Sequence, residues 1–192
     1  MKNIGICKNL VIIFIELFFI LKKSLSLQTK PFFTSKMMEK EKKYRLLTEQ
    51  IRSLIDGETD AVAVMANVSA AIHEAMGFFW TGFYRVVGDE LVLGPFQGPV
   101  ACVHIGYGRG VCGTAWQRRE TIVVPDVEQF PGHIACSSLS RSEIVVPVFS
   151  NEGEVVAVLD IDSRDLNTFD DLDRQYLEPI AALVSAQVSS WG

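Results

Sequence analysis

Residues 143–163 read EIVVPVFSNEGEVVAVLDIDS, and this stretch decides the fold. Two apolar runs rich in β-branched residues lie on either side of Asn151, Glu152 and Gly153. Such runs are typical of strands, and the short polar segment with its glycine is typical of a hairpin turn. The stretch therefore predicts two neighbouring antiparallel strands near the C-terminus.

Acidic side chains line one face of the second predicted strand. Asp160 and Asp162 are two residues apart, so both point to the same side of the sheet, whereas Leu159 and Ile161 point to the other side, into the core. Glu143, at the start of the first strand, can add a third carboxylate. These acids form either a solvated outer face or the floor of a pocket. Such a floor can bind an ammonium group, or it can donate a proton, because neighbouring like charges raise each other's pKa.

The remaining segments predict an α+β fold. The sequence indicates one antiparallel sheet, with helices packed on one face and loops covering the other. The predicted helices span residues 38–55, 61–76, 112–117 and 169–190. The other predicted strands are two within 78–96 that turn at 88–89, one over 101–105, and one over 121–127, and a long loop follows to residue 141.

The charge is divided unevenly along the chain. Residues 1–36 hold six Lys and one Glu, a net charge of +5, so residues 37–192 hold 12 basic and 22 acidic side chains, a net charge of −10. A body this acidic argues against nucleic-acid binding, which needs a basic surface. We interpret residues 1–36 as an N-terminal extension and residues 37–192 as the folded domain.

The N-terminal extension contains one apolar run, residues 10–21, LVIIFIELFFIL. It is shorter than the roughly 20 residues of a membrane span. Either the extension is a targeting or anchoring segment, or translation starts at Met37 or Met38. We expect a cytoplasmic protein; the alternative is organelle targeting or membrane anchoring through residues 1–36, and membrane contact is expected only if they are retained.

Three cysteines lie in the body of the chain: Cys102, Cys112 and Cys136. Their spacing lacks the C-x-x-C pairs of structural zinc sites, although His133 lies three residues before Cys136. Free cysteines also pack as small apolar residues. A third interpretation is redox chemistry between an attacking thiolate and a resolving thiol that is distant in sequence. The residues alone leave these three alternatives open.

Two further segments, WTGFY and GYGRG, are candidates for a pocket wall and a phosphate-binding loop. Trp80, Phe83 and Tyr84 cannot all face inward on one strand, so one or two of them can form the wall of a pocket. The stretch GYGRG at 106–110 does not match a phosphate-binding loop, and we interpret it as a tight turn.

Five blocks together resemble the free methionine-R-sulfoxide reductases, which are single GAF domains. In chain order they are WTGFY, LVLGPFQGPVACVHIGYGRGVCGTAW, VEQFPGHIACSS, SEIVVPV and VLDIDS. The resemblance extends from about Met38 to the C-terminus and includes all three body cysteines. It implies a GAF-like sheet with a pocket on its loop-covered face.

The resemblance also implies roles for single residues. Cys136, in the GHIAC block, is the expected nucleophile, and Cys102 is expected to resolve it through an intramolecular disulfide. Cys112 is expected near both, where it can substitute or relay. The side chains expected to bind the substrate are Glu143, Asp160, Asp162, Trp80 and Tyr84.

The implied activity is thiol-dependent reduction of free L-methionine-(R)-S-oxide through a cysteine sulfenic acid. The resemblance implies thioredoxin as the external reductant. We expect no bound cofactor, and no metal because the cysteine spacing lacks zinc-binding pairs; a homodimer is one option. Two other functions stay open at this point. One is a GAF sensor module that binds a small ligand, such as a nucleotide or tetrapyrrole, without catalysis. The other is an interaction domain stabilised by zinc.

Overall fold

The structure is a computed structural model that describes residues 35–134 and 136–187. The compact unit begins at Lys43, part-way along the first helix. The predicted apolar segment at residues 10–21, most of the proposed extension and the last residues of the predicted terminal helix lie outside the described residues. None of the described helices is long and apolar enough to span a membrane.

Four helices, six strands and one short 3₁₀ turn make up the described chain. The helices are α1 (residues 35–54), α2 (Ala61–Met76), α3 (Gly110–Arg118) and α4 (Asp171–Gln187). The strands are β1 (Trp80–Val87), β2 (Glu90–Gln97), β3 (His104–Gly106), β4 (Ile122–Val124), β5 (Ser142–Phe149) and β6 (Val155–Ser163), and the 3₁₀ turn spans Val127–Gln129.

Local sequence signals explain the ends of α2. The Asp60 side chain accepts a hydrogen bond from the Ala63 backbone N–H, which satisfies one of the free donors at the start of the helix. Gly77 ends the helix with a φ of 72°, a left-handed conformation that glycine adopts without strain. The predicted bounds of this helix are confirmed.

The sheet is antiparallel throughout and has the strand order β3-β2-β1-β6-β5-β4. The predicted hairpin forms its centre, with Ile144 opposite Ile161 and Val146 opposite Leu159. β6 is also paired with β1 on its other side. Because β6 lies between β1 and β5, the residues that it carries lie in the middle of the sheet.

Apolar side chains pack on both faces of this sheet. Helices α1, α2 and α4 cover one face, where Phe83, Leu159 and Ile161 are fully buried. On α1 the buried positions Tyr44, Leu47 and Ile51 repeat at helical spacing, and Ile55, directly after the helix, is also buried. The opposite face packs against α3 and the loops around it and carries a second apolar cluster that includes Trp80, Tyr84, Cys112 and Val145.

The α+β class and the division into a helix face and a loop face are confirmed, with some changes of detail. The strand predicted over 101–105 is confined to His104–Gly106. The short helix α3 begins two residues earlier than predicted and lies on the loop face, where it contacts β5 and β6. Leu46 and Leu54, which fit the apolar pattern of α1, are exposed.

Candidate active site

The central strands place a row of three side chains on the loop face of the sheet. Trp80 on β1 lies opposite Asp162 on β6, and Asp162 in turn lies opposite Glu143 on β5. Residues that are directly opposite in an antiparallel sheet point to the same face. Two residues earlier on β6, Asp160 lies opposite Gly82. The three predicted acids therefore form one floor, and the interpretation of Asp160 and Asp162 as a solvated surface is wrong.

Burial raises the pKa of each of these three acids, and neighbouring carboxylates raise the pKa of two of them further. Only 6% of Glu143 and 6% of Asp160 is exposed. Loss of solvation and the neighbouring carboxylates raise the pKa of Glu143 and of Asp160 well above the usual range. Desolvation raises the pKa of Asp162 to about 6, although a hydrogen bond with Ser140 partly offsets this rise. The cluster can therefore hold protons that isolated carboxyl groups would release.

Cys112 lies on the same floor. The Cys112 Sγ–H donates to Glu143 Oε1 across 3.8 Å, and only 4% of the residue is exposed. Burial and the nearby Asp160 raise the pKa of this thiol well above its usual range. The thiol of Cys112 is therefore protonated near neutral pH unless another positive charge takes the place of the proton.

A disulfide closes one wall of the cavity. It joins Cys102, which precedes β3, to Cys136 in the loop that precedes β5, with their Cα atoms 5.3 Å apart. Cys136 lines the cavity directly. Cys112 is the one free thiol among the described cysteines. The pairing expected from the family resemblance is confirmed, and two of the three body cysteines are bonded to each other rather than packed as inert thiols.

Two aromatic rings form a second wall. The Trp80 ring stacks on Phe96 with centroids 5.3 Å apart, and its Nε1–H donates to the Pro99 carbonyl oxygen across 3.0 Å. The ring centroids of Tyr84 and Trp80 are 6.0 Å apart. The Tyr84 hydroxyl donates a hydrogen bond to the Cys102 carbonyl oxygen across 3.0 Å. Phe83, between them in sequence, points into the opposite core.

The cavity between these walls also has basic side chains. Arg109, at the start of α3, and His133, in the Cys136 loop, both line it. Burial lowers the pKa of the His133 imidazole, which favours its neutral form, so Arg109 is the cation beside the cavity. About 40 Å³ of the cavity is open to water-sized molecules. Other lining residues include Phe79, Val100, Ala101, Ile105, Gly110, Val111, Ile134, Ser137 and Ser140. A cavity with carboxyl groups on its floor and a cation at its side suits a zwitterion.

Comparison with known proteins agrees with this geometry. Residues 58–188 match the GAF domain family. The chain is 56% identical to GAF domain-containing protein A from Dictyostelium discoideum, across 76% of this chain and 92% of the relative. It is 45% identical to a free methionine-R-sulfoxide reductase from Escherichia coli, across 76% and 88%.

A solved structure is similar in fold as well as in sequence. This is the X-ray structure of a free methionine-R-sulfoxide reductase from Neisseria meningitidis in complex with its substrate. Its sequence is 54% identical to this chain, and the two folds superpose with a TM-score of 0.73. The alignment covers 75% of this chain and 87% of that one. The chain belongs to the free methionine-R-sulfoxide reductases, a family of GAF domain proteins.

Seven of the eight side chains expected from the resemblance to this family line one cavity: Cys112, Cys136, Glu143, Asp160, Asp162, Trp80 and Tyr84. The eighth, Cys102, is bonded to Cys136 through the disulfide. These residues come from strands, a helix and two loops. What each of them does there is a proposal, made below.

Sequence reasoning missed two residues of this site. Arg109 was interpreted only as part of a tight turn, and a basic residue between two glycines gives no signal of its own. Gly82 was not considered, although a glycine inside a strand indicates a close approach. A Cβ atom at Gly82 would lie 2.5 Å from Trp80 Cη2 and would also meet Phe96 Cβ, so the glycine makes room for the Trp80 ring.

Proposed function

We propose that this protein reduces free L-methionine-(R)-S-oxide to methionine, with Cys136 as the nucleophile, Cys102 as the resolving thiol and thioredoxin as the external reductant. The observation that carries the proposal is the disulfide between Cys102 and Cys136 beside a floor of three carboxyl groups. A reversible pair of thiols can accept the oxidising equivalents of a sulfoxide. The carboxyl groups can supply the protons that the reaction consumes.

The cavity accounts for a free amino acid as the substrate. An ionised carboxylate among Glu143, Asp160 and Asp162 binds the substrate ammonium group, and Arg109 pairs with the substrate carboxylate. In a peptide these two groups become neutral amides. Buried charges without a partner are then left behind, which disfavours peptide-bound methionine sulfoxide. Trp80 and Tyr84 supply apolar contacts for the side chain near the sulfoxide.

In the first chemical step the Cys136 thiolate attacks the sulfoxide sulfur. A protonated carboxyl group of the floor donates to the sulfoxide oxygen as the S–O bond weakens. The bond between the two sulfur atoms forms as the sulfoxide oxygen takes up two protons and leaves as water. A water molecule then attacks the Cys136 sulfur and breaks that S–S bond, which releases free methionine and a proton and leaves Cys136 oxidised to a sulfenic acid. A carboxyl group that stays protonated near neutral pH suits this role, by the same logic as other like-charge pairs of acids.

In the second step the Cys102 thiol condenses with the sulfenic acid of Cys136. The S–OH bond breaks, the disulfide forms, and one water molecule leaves. The structure corresponds to the oxidised form that this step produces. A dithiol such as reduced thioredoxin then attacks the disulfide and takes up the oxidation, which returns both cysteines to thiols. Cys112 is close enough to the floor to substitute or relay in this cycle.

A single-turnover experiment tests the proposal. Fully reduced protein, freed of reductant, is mixed with an excess of the free R sulfoxide, and methionine and remaining thiols are counted. We expect one methionine formed and two thiols lost per chain. The Cys136→Ser variant should form no methionine, whereas the Cys7→Ser variant, changed outside the described residues, should behave as the original. Methionine production by Cys136→Ser would overturn the assignment of the nucleophile.

Three broader proposals accompany this function. We propose that residues 37–192 form the functional domain, that no metal or bound cofactor takes part, and that the protein acts in the cytoplasm, where thioredoxin is reduced. Imaging a fluorescent fusion of the whole chain, with and without residues 1–36, tests the location. Tight binding of a nucleotide without any turnover on sulfoxides would instead support the sensor alternative.

A further inference from the structure

The floor of the cavity contains a set of atoms that suits a soft divalent cation. One ligand atom each from Cys112, Glu143 and Asp160 lies within 4.8 Å of the other two. All three residues are buried. A thiolate and carboxylates are common ligands of Zn²⁺, whereas Mg²⁺ and Ca²⁺ prefer oxygen atoms alone.

One distance between these atoms is close to that of a coordinated ion, and the other two are no longer than 4.8 Å. In a tetrahedral zinc site, a thiolate sulfur and a carboxylate oxygen are about 3.6 Å apart, given the usual Zn–S and Zn–O bond lengths. Cys112 Sγ and Glu143 Oε1 are 3.8 Å apart without any ion. Small side-chain rotations would therefore bring the three atoms to an ion, and the fourth position would remain for water.

A second observation points into the same space. Asp160 Oδ1 is buried and has no hydrogen-bond partner within the described part of the chain. Asp160 is 94% buried, since 6% of it is exposed, and it lines the cavity. A buried polar atom without a partner is costly, so its presence calls for a ligand or an ion that supplies the missing interaction.

We propose that Cys112, Glu143 and Asp160 bind a soft or borderline divalent cation, Zn²⁺ or Cd²⁺, in the space that the substrate ammonium group would otherwise take. The ion replaces the protons that these groups carry, and binding releases them to solvent. The site does not use Cys102 or Cys136, so it is complete while their disulfide is formed. Competition between the ion and the substrate rests on the proposed function, whereas binding of the ion does not.

Cadmium titration of the oxidised full-length protein tests the site directly. The Cys7→Ser variant is used as the background, because Cys112 is then the single free thiol of the four cysteines. We expect one equivalent of Cd²⁺ to produce the ultraviolet charge-transfer band of a cadmium thiolate. Mg²⁺ at the same concentration should neither bind nor displace Cd²⁺. Absence of the band would overturn the proposal.

Three variants of that background show whether the ion uses the whole set. Cys112→Ser should remove the band. Asp160→Asn, which keeps the size of the side chain, should weaken Cd²⁺ binding by at least about tenfold, since even outer-shell partners change metal affinity by about 10–100-fold. Asp89→Asn, an exposed acid in the β1–β2 turn, should leave it unchanged. Equal affinity in Asp160→Asn would mean that a lone thiol binds the ion and would overturn the site.

Competition with methionine sulfoxide is a separate measurement. Added free R sulfoxide should displace Cd²⁺ and reduce the charge-transfer band. If the protein shows no turnover but forms the cadmium site, the proposed function fails and the metal site stands. If it turns over and no cadmium band forms, the proposed function stands and the metal site fails.

Discussion

Glu143 on β5 lies directly opposite Asp162 on β6, so the antiparallel ladder holds two acidic side chains side by side on the floor of the cavity. Like charges in this relationship destabilise a sheet. Asp160, two residues from Asp162, adds a third acid to the same floor. The arrangement lowers stability when the acids are ionised, and under the proposed function it supplies protonated carboxyl groups beside the sulfoxide.

Removal of one of these charges should stabilise the protein at high pH. Desolvation raises the pKa of Asp162 from 3.8 to about 6, so the native state loses stability as the pH rises through that range. Asp162→Asn should therefore be more stable than the original at pH 8, by up to about 3 kcal/mol, and the difference should disappear below about pH 4. Urea unfolding across this pH range measures the effect.

A matched exposed variant serves as the control for that experiment. Asp89→Asn changes an acid in the exposed β1–β2 turn and should give the same stability as the original at every pH. Equal stability of Asp162→Asn and the original at pH 8 would show that the Asp162 carboxylate is well solvated or paired. The account in which desolvation raises the pKa of Asp162 would then be wrong.

Replacing Glu143, one of the two acids of the floor that are 6% exposed, should slow the chemical step. Glu143→Gln keeps the shape of the side chain but removes its proton-donating carboxyl group, and general acids typically contribute about 10²–10⁴-fold to a rate. We expect kcat to fall at least tenfold, with Asp89→Asn unchanged. Steady-state kinetics on free methionine-R-sulfoxide measures this. An unaltered kcat in Glu143→Gln would assign the proton to Asp160 or Asp162 instead.

Without its resolving thiol the enzyme should stop after one cycle. Cys102→Ser retains Cys136, so it should form one methionine per chain and then stall as a sulfenic acid. Mass spectrometry after trapping the sulfenic acid measures the stalled form, and an assay with thioredoxin measures cycling. Continued turnover of this variant would move the resolving role to Cys112.

The glycine beneath Trp80 should matter for substrate binding. In Gly82→Ala the new Cβ would meet the Trp80 and Phe96 side chains, and overpacking of this kind typically destabilises by about 1–3 kcal/mol. A displaced Trp80 ring should weaken substrate binding about tenfold, which corresponds to about 1.4 kcal/mol. KM and thermal stability are measured together.

A second core variant separates lost stability from lost binding in that experiment. Val146→Ala alters a buried side chain on the helix face of β5 and should lower stability without changing KM. If both variants raise KM equally, the effect of Gly82→Ala comes from general destabilisation, and Gly82 has no particular role in positioning Trp80.

Local signals were sufficient for much of the fold. The cap at Asp60, the stop at Gly77 and the two apolar runs around the turn in residues 143–163 each act over a few residues, so the sequence alone predicted α2 and the central hairpin. The two-residue period of a strand put Asp160 and Asp162 on one face. The strand order was not predicted, because pairing between β1 and β6 depends on contacts between residues about 80 positions apart.

The candidate site required more than local patterns. Cys102 and Cys136 are 34 residues apart, and nothing in their spacing distinguishes a pair from two independent thiols. The family resemblance supplied that pairing, and the structure brings the two together. The position of Arg109 beside the cavity was not predicted, because it depends on the tertiary contacts that place α3 against the sheet.

The most direct test of the central claim is a comparison of substrates in one coupled assay. Oxidation of NADPH through thioredoxin reductase and thioredoxin is followed with the free R sulfoxide, the free S sulfoxide and a peptide-bound methionine sulfoxide. The account predicts turnover on the free R epimer alone, because the acid floor and Arg109 together bind a free amino acid. Equal turnover on the peptide, or no turnover on any substrate when all thiols are shown to be reduced, would contradict it.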